Sequence, residues 1–351
     1  MENSPPRAIF AGQLSREYAI FSKREAPNGS LESDGYIGLD VPGGNLVYAA
    51  AGYAVWEPSP PPGLIARVGE DYPQEWLETY ARRGFDMRGV RVLPEAMDLR
   101  SFFVYTSSTT RVTDDPVSYF ADLGIPFPKA LLGFRRPPAT ALDSRTRLNP
   151  YSLRQSDIPV DYLDASAAHL CPLDFLTHSL VPAILRQAGI TTLTLDPSAG
   201  YMNPIYWNDI AALLTGLTAF MPSEEEARAL FHGRSSDLWQ MAEALAAYGC
   251  EVIVIKRGGN GQIVYDAARR LHWEIPAYPA RVVDPTGVGD AFAGGFLAGY
   301  RRAYDPLEAT LLGSISASLT IEGHGPLYAL DGLPGLAQAR VEALRSAVRK
   351  V

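Results

Sequence analysis

Short apolar runs and longer amphipathic segments alternate along most of the chain. Runs of mostly apolar residues, which are typical of buried strands, occur at residues 8–12, 64–68, 167–170, 191–196, 217–221 and 252–256. Segments with the apolar spacing of helices occur at residues 46–56, 74–83, 173–188, 307–322 and 336–351. Because strands that alternate with helices form parallel sheets covered by helices, the pattern predicts an α/β fold.

Two regions depart from this alternation. Residues 18–23, 35–39 and 101–106 predict further strands, and a turn rich in Gly, Ser, Asn and Pro joins the first two. Residues 113–161 hold seven prolines and no persistent periodic segment, which predicts a long structured insertion or a mobile flap. Its arginines include Arg135, Arg136, Arg145, Arg147 and Arg154. A substrate wall, a partner surface, a basic patch facing a phosphorylated substrate and a plain surface loop all remain open for it.

Composition narrows the class of protein. The 351 residues are 47% hydrophobic, enough for a sizeable core, and the net charge of −8 disfavours a general nucleic-acid or membrane-surface binder. The two cysteines, Cys171 and Cys250, have no metal-type spacing with the five histidines, which favours a reducing cytoplasm. We find no apolar signal core and no apolar run of membrane-spanning length. We therefore expect a soluble cytoplasmic protein without nucleic-acid or membrane partners, and a homodimer remains open.

Residues 281–300 carry the chemistry around which the chain is organised. Val282 and Val283 suit the end of a buried strand, and two glycines then precede a helical pattern. The amides of Gly287, Val288 and Gly289 at a helix start can surround an anion such as a phosphoryl group. Asp290 in the first turn can accept the proton of an attacking hydroxyl. An ordinary helix start, with Asp290 only complementing the dipole, is the alternative.

The segment at residues 284–292, Asp-Pro-Thr-Gly-Val-Gly-Asp-Ala-Phe, resembles the C-terminal signature of the ribokinase (PfkB) family of sugar and nucleoside kinases. That family usually has Asp-Thr-Thr-Gly-Ala-Gly-Asp-Ala-Phe, so Pro285 and Val288 depart from it without removing an amide that the anion hole needs. The resemblance implies a ribokinase-like three-layer α/β/α sandwich with a small β-sheet lid. It implies one kinase domain over residues 1–351, with lid strands from about 14–40 and 98–112. It also implies transfer of the γ-phosphoryl group of ATP to a hydroxyl of a sugar-like substrate, with Asp290 as the base.

On the substrate side, the resemblance places Gly43 and Gly44 beside the substrate hydroxyls, although they also suit a helix start without a ligand. Glu17 stands where the family commonly has Asp, and Tyr48 stands where it commonly has Asn. These substitutions would reshape the pocket, so the usual sugars do not follow and a nucleoside acceptor stays an alternative. Glu17 as a solvated lid residue and Tyr48 as a core residue are the simpler interpretations.

On the phosphate side, Glu226 matches the Glu of the family's Pro-Asn-x-x-Glu motif, with Ser223 in place of Asn. The resemblance implies that Glu226 organises Mg²⁺ through water. Because Ser223 also suits a helix N-cap with acids in the first turn, a purely structural account is available. A monovalent cation such as K⁺ near Asp284 is common in the family, and the sequence does not decide it.

The resemblance also assigns the nucleotide side of the cleft. The turn after the 252–256 strand carries Lys256, Arg257, Gly258 and Gly261, which would contact ATP, and the glycines Gly323 and Gly325 would border the adenine. The intervening His324 is expected to be a wall residue. The chain contains no P-loop motif, and no dinucleotide-binding fingerprint follows the first strand, which disfavours an oxidoreductase. A non-catalytic nucleotide-binding protein acting through the insertion remains a rival to the kinase.

Overall fold

The structure is a computed structural model that describes residues 5–21, 24–25, 31–33, 35–107, 110–136 and 143–351. The strands are β1 (Ala8–Ala11), β2 (Ser15–Phe21), β3 (Arg24–Glu25), β4 (Leu31–Ser33), β5 (Tyr36–Gly43), β6 (Gly63–Gly69), β7 (Asp86–Leu93), β8 (Arg100–Tyr105), β9 (Arg111–Val112), β10 (Ala167–Leu170), β11 (Thr192–Leu195), β12 (Ala219–Phe220), β13 (Val252–Lys256), β14 (Gln262–Asp266), β15 (Leu271–Ile275) and β16 (Arg349–Lys350). The α-helices are α1 (Asn45–Ala54), α2 (Gln74–Arg82), α3 (Pro116–Asp122), α4 (Phe175–Gln187), α5 (Trp207–Leu214), α6 (Glu224–Leu230), α7 (Leu238–Ala246), α8 (Val288–Ala303), α9 (Pro306–Thr320) and α10 (Leu336–Arg345).

The main sheet has ten strands in the order β16-β15-β14-β13-β12-β11-β10-β1-β6-β7. The strands from β13 to β7 are parallel to their neighbours, and β14, β15 and β16 add an antiparallel edge. Helices cover both faces, so central strands such as β1 and β10 are buried along their whole length. This double burial explains why the parallel strands are apolar runs rather than alternating patterns.

The side chains of the sheet divide between two hydrophobic cores. One core joins the sheet to α1, α8, α9 and α10, and the other joins it to α4, α5, α6 and α7. With β2, β5, β8 and β9 forming a separate four-stranded sheet, these layers confirm the predicted three-layer α/β/α sandwich with a small lid. No helix in the described part of the chain is both long and apolar enough to cross a membrane.

Close packing of α1 against α8 fixes the two helix starts that carry the candidate chemistry. A Cβ atom on Gly52 would lie closer than 3.0 Å to the carbonyl oxygen of Ala291, and one on Gly294 would do the same at Ala49. The two backbones therefore approach at distances that only glycine allows. As a result, the N-terminus of α1 and the N-terminus of α8 are held in a fixed relation.

The lid sheet has the order β5-β2-β8-β9 and two different faces. Its inner face, which is turned towards the cleft, carries a cluster with Ala19, Phe21, Phe103 and Tyr105. Its outer face carries Tyr18, Ile20, Phe102 and Val104, and side chains from residues 119–134, such as Phe120 and Leu131, cover it. The described part of the insertion that begins at residue 113 thus supplies the outer layer of the lid.

Three elements differ from the sequence prediction. Val282 and Val283 form no strand, because the amides of Val283 and Asp284 donate to the carbonyl oxygen of Ile321 instead of to a sheet neighbour. The predicted helix over residues 336–351 ends at Arg345, and β16 then pairs with Trp273 and Glu274 at the sheet edge. Residues 113–161 do contain a short helix, α3, whose N-cap Asp115 accepts from the Ser118 amide and whose first residue is a proline.

Candidate active site

The predicted anion hole lies at the start of α8, which begins at Val288, so that Gly289 lies inside the helix rather than before it. Gly287 is its N-cap and has a φ of 68°, a left-handed conformation that favours glycine. A Cβ atom on Gly287 would lie closer than 3.0 Å to the ring of Tyr48, which is buried. The backbone of Gly287 is therefore pressed against an aromatic wall, while Val288 and Gly289 begin the helix beside it.

Asp290 lies in the first turn of α8 and is partly exposed to the cleft. Burial of the carboxyl group raises its pKa from 3.8 to about 7, the carboxylates of Glu17 and Glu226 add to the rise, and the charges of Lys256 and Arg111 oppose it. A carboxyl group with a pKa near neutral is suited to take a proton from a hydroxyl. Glu17 and Arg111 act on Asp290 from the lid sheet, and Lys256 and Glu226 act on it from the main domain. Asp290 therefore lies where the lid and the main domain meet.

A buried ion pair lies beside the anion hole. Lys256 is the last residue of β13, and its Nζ pairs with Oδ2 of Asp196, which follows β11. Because carboxyl ends of parallel strands meet at one edge of a sheet, strands β11 and β13 bring these residues together across β12. The Lys256 Nζ also lies 3.5 Å from the position of a Cβ atom on Gly289. The contact of Lys256 with ATP stays a prediction, and nothing in the sequence indicated its pairing with Asp196.

Glu226 serves as a helix cap in this structure. Its Oε2 accepts hydrogen bonds from the amide and the hydroxyl of Ser223, both at 2.8 Å, which completes a capping box at the start of α6. Among the described residues, no group of three His, Cys, Asp or Glu side chains is arranged to hold a metal ion. Mg²⁺ usually keeps several waters and is held by phosphates and one or two carboxylates, so the carboxylate of Glu226 suits a water-mediated ion. The metal role of Glu226 stays a prediction.

On the lid side, Glu17 is bound to the start of α1. Its Oε1 accepts from the amide of Gly44 and the hydroxyl of Ser15, both at 3.0 Å, and Gly44 is the N-cap of α1 with a φ of 108°. A Cβ atom on Gly43 would lie closer than 3.0 Å to the Glu17 carboxyl group. Burial raises the pKa of Glu17 to about 7 despite these hydrogen bonds. Glu17 is therefore a buried cleft residue rather than a solvated lid residue.

A cavity of about 210 Å³ lies between the lid and the main sheet. Six residues that matter to its chemistry line it: Glu17, Tyr36, Tyr48, Phe103, Asp284 and His324. The rings of Tyr36 and His324 stack with centroids 3.9 Å apart, and Phe21 meets His324 edge-on. The cavity thus joins flat aromatic walls to two buried carboxyl groups. His324 is a wall residue of this cavity, whereas the sequence analysis placed it on the nucleotide side.

Both carboxylate oxygens of Asp284 contact nearby groups at the edge of the cavity. Its Oδ1 accepts from the amide of Thr286 at 2.8 Å, and its Oδ2 lies 3.3 Å from Nδ1 of His324. These contacts tie the loop before α8 to the aromatic wall. The assignment of a monovalent cation to Asp284 stays a prediction.

The remaining nucleotide candidates lie on two loops. Gly258 and Gly261 have φ values of 54° and 76° and form the turn between β13 and β14, as predicted for this loop. The Arg257 guanidinium donates to the carbonyl oxygen of Asn260 in the same loop. Gly323 packs on the Tyr328 ring, whereas Gly325 lines the lid cavity. Contacts of these five residues with a nucleotide stay predictions.

Arg111 is a cleft residue that the sequence analysis missed. It pairs with Tyr105 in the lid sheet, and since directly opposed residues share a face, Arg111 belongs to the inner face. Its guanidinium carbon lies 5.8 Å from the ring centroid of Phe103, and its charge lowers the pKa of both Asp290 and Glu17. Only the pairing of β9 with β8 brings it to the cleft, and no local motif in the sequence marks it.

Comparisons with known proteins match the sequence and the fold of this chain. The family model described as pfkB family carbohydrate kinase matches residues 159–331. A cytidine kinase of Thermococcus kodakarensis is 29% identical over 259 residues, which cover 72% of this chain and 78% of that protein. The structure of a Burkholderia thailandensis nucleoside kinase in complex with inosine superposes with a TM-score of 0.66 at 20% identity and covers 97% and 99% of the two chains. An Escherichia coli ribokinase II structure with ATP and Mg²⁺ has a TM-score of 0.64 at 18% identity and covers 97% and 99%.

The fold is ribokinase-like, and the family model and the sequence relatives show a phosphotransferase whose acceptor is an alcohol group. The chain belongs to the PfkB family of carbohydrate and nucleoside kinases. Its activity is therefore that of an ATP-dependent kinase of sugars or nucleosides.

Proposed function

We propose that this kinase phosphorylates a hydroxyl group of a nucleoside, with Asp290 as the base and the amides of Gly287, Val288 and Gly289 as the anion hole. The observation that carries the acceptor class is the lid cavity with its stacked Tyr36 and His324 rings. A nucleobase has flat aromatic faces that stack on such rings, and a free sugar has no aromatic face. The cytidine kinase and the inosine-bound nucleoside kinase among the similar proteins support this choice.

In the proposed reaction, Asp290 takes the proton and the amides at the start of α8 stabilise the phosphoryl group. The nucleoside hydroxyl attacks the terminal phosphorus of ATP, its proton passes to the Asp290 carboxylate, and the bond to the ADP oxygen breaks. The amides at the start of α8 stabilise the charge on the phosphoryl oxygens during transfer. The pKa of about 7 for Asp290 lets the carboxylate be present at neutral pH and still bind the proton.

The nucleotide is proposed to lie over the ends of β11 and β13, near Lys256, Gly258 and Gly261. Mg²⁺, ordered through water by Glu226, would neutralise part of the phosphate charge. Glu17 and the start of α1 would hold the ribose hydroxyls, and Tyr48 would close the pocket behind the anion hole. These roles follow the family resemblance and the positions of the residues around one cleft.

A panel of acceptors tests the proposal. We would measure acceptor-dependent ADP release with Mg-ATP for cytidine, inosine, adenosine and uridine against ribose, glucose and fructose. Because stacking of one base is worth about 1–3 kcal/mol, we expect the best nucleoside to exceed the best sugar in kcat/KM by about 5- to 150-fold. A sugar that outperforms every nucleoside would overturn the acceptor class. ATP binding without turnover on any acceptor would favour a non-catalytic binding protein.

A further inference from the structure

The Lys256–Asp196 pair lies on the floor of the cleft, which is formed by the ends of β11 and β13 and the start of α8. No motif in the sequence indicated this pair. The side chains of Lys256 and Asp196 are only 14% and 3% exposed, so both charges have lost most of their hydration. Desolvation of this kind commonly cancels the attraction within a buried pair, and apolar residues in its place are often as stable. A buried ammonium at this position is therefore poorly explained by stability alone.

The backbone fixes the base of the Lys256 side chain. The Lys256 amide donates to the carbonyl oxygen of Pro222 at 2.9 Å, and Ser223 forms a bridge with Lys256. From this anchor the Nζ extends to within 3.5 Å of the position of a Cβ atom on Gly289. Gly289 is the last glycine of the proposed anion hole and the neighbour of Asp290. The ammonium thus lies at the site where the phosphoryl group would pass.

The charges around this ammonium are unequal. Besides Asp196, the carboxylates of Glu226 and Asp290 act on Lys256, and His169 beneath it is buried and neutral, with a pKa lowered to about 3. Three carboxyl groups thus share one ammonium within this cluster. An arriving phosphate adds negative charge here, which requires a cation held in place before the reaction rather than one recruited during it.

We propose that the Lys256 ammonium contacts the phosphoryl group during its transfer, and that Asp196 is a positioning residue that holds the ammonium beside Gly289. This inference rests on the proposed function. Lys256 keeps its protons throughout, since the acceptor proton goes to Asp290 while the new oxygen–phosphorus bond forms and the bond to ADP breaks. The role differs from the nucleotide contact that the sequence predicts, because it concerns the moving group rather than bound ADP.

The distinction can be measured because the two roles affect different constants. An interaction made only during transfer changes kcat, whereas one made equally in the bound nucleotide changes ADP affinity. We would compare Lys256→Met, Lys256→Arg, Asp196→Asn and the double variant Lys256→Met/Asp196→Asn. Arg269→Met and Asp266→Asn serve as matched controls, since Arg269 and Asp266 form an ion pair at the far end of β14.

We expect Lys256→Met to lower kcat about 100- to 1000-fold while the Kd of Mg-ADP stays within about threefold of wild type. Asp196→Asn should lower kcat about tenfold or more, and the double variant should be no slower than Lys256→Met, because Asp196 acts through the lysine. The two control variants should keep wild-type kcat. Lys256→Arg keeps the charge and should recover part of the lost rate.

Two results would overturn the proposal. If Lys256→Met weakens Mg-ADP as much as it lowers kcat, Lys256 is a nucleotide-binding residue only. If Asp196→Asn lowers kcat by the same factor with and without Lys256, Asp196 acts independently. Should Lys256→Met fail to fold, kcat and Mg-ADP affinity of Asp196→Asn and Lys256→Arg decide the question. Failure of the proposed site itself would be distinguished by an Asp290→Asn variant as active as wild type, whatever Lys256 does.

Discussion

The floor and the lid of the cleft differ in the side chains that line them. The floor, at the ends of β11 and β13 and the start of α8, gathers charges such as Asp196, Lys256 and Asp290 onto a rigid backbone. The lid presents aromatic rings such as Tyr36 and Phe103 from a small separate sheet. The floor has what phosphoryl transfer requires, namely fixed charges and amides, whereas the lid has a shape that selects an acceptor.

This comparison separates two kinds of constraint. On the floor, main-chain geometry matters most, because Gly287 is both left-handed and pressed against Tyr48. On the lid, side chains matter most, because the stacking of Tyr36 on His324 defines the wall of the cavity. Substitutions on the floor should therefore affect the rate of transfer, and substitutions on the lid should affect the affinity for the acceptor.

Among the substitutions that test this comparison, the largest effect is expected for Gly287→Ala. The new methyl group would lie closer than 3.0 Å to the Tyr48 ring and would sit on a left-handed residue, so the anion hole must distort. We expect kcat/KM to fall by a factor on the order of a thousand. Gly335→Ala is the matched control, since Gly335 is also a left-handed N-cap but a Cβ atom there would meet nothing within 4 Å. Equal behaviour of the two variants in activity and Tm would contradict the role of the close approach.

A smaller effect is expected for His324→Ala in the lid wall. Loss of the ring removes stacking surface for the base, so KM for the best nucleoside should rise about tenfold while kcat changes little. Tyr265→Ala is a suitable control, because Tyr265 packs on His272 with centroids 4.8 Å apart, on the antiparallel edge of the main sheet. Steady-state kinetics on both variants would show this, and a loss confined to kcat would count against acceptor selection by the lid.

The smallest effect is a pH shift caused by Arg111→Gln. The positive charge of Arg111 lowers the pKa of Asp290, so its removal should raise that pKa above about 7. Because the base must be ionised, the acid limb of the kcat/KM profile should move to higher pH by less than about one unit, with the plateau unchanged. Arg135→Gln, which alters an exposed arginine of the insertion, should leave the profile in place. An unshifted profile in Arg111→Gln would separate Arg111 from Asp290.

The parts of the site that the sequence predicted are local. Residues 284–292 predicted a helix with Asp290 in its first turn, and Gly44 was placed correctly at the start of α1. Local preference also misled, because Val282 and Val283 suit a strand but their segment bonds to the end of α9 at Ile321. β-Branched side chains favour strands only where a partner strand is available.

The parts that the sequence did not reveal depend on contacts between distant residues. Lys256 and Asp196 are 60 positions apart and meet only because β11 and β13 end at one edge of the sheet. Tyr36 and His324 come from the lid and from the loop after α9. The outer face of the lid is covered by α3 and the residues after it, and no periodic pattern in that proline-rich region indicated this. Predicting such long-range contacts requires knowledge of the order of the strands and helices in the fold, which single sequence motifs do not contain.

Asp290→Asn tests whether the ionised carboxyl group of Asp290 lowers the stability of the folded protein. Because burial raises the pKa of Asp290 to about 7, its ionised form destabilises the folded state relative to the unfolded chain. The Asn variant should therefore melt at a higher temperature than wild type above about pH 7, and this gain should vanish as the pH falls towards about 4. Thermal unfolding at several pH values measures it, and a variant less stable than wild type at every pH would contradict the sign.

The most direct test of the central claim is the rate of phosphoryl transfer by wild type and by Asp290→Asn, measured as acceptor-dependent ADP release under saturating Mg-ATP. Asn keeps the size of the side chain but cannot take the acceptor proton. We predict that the variant binds Mg-ATP like wild type and transfers the phosphoryl group slower by a factor on the order of a thousand or more. Equal rates for the two proteins would contradict the assignment of Asp290 as the base.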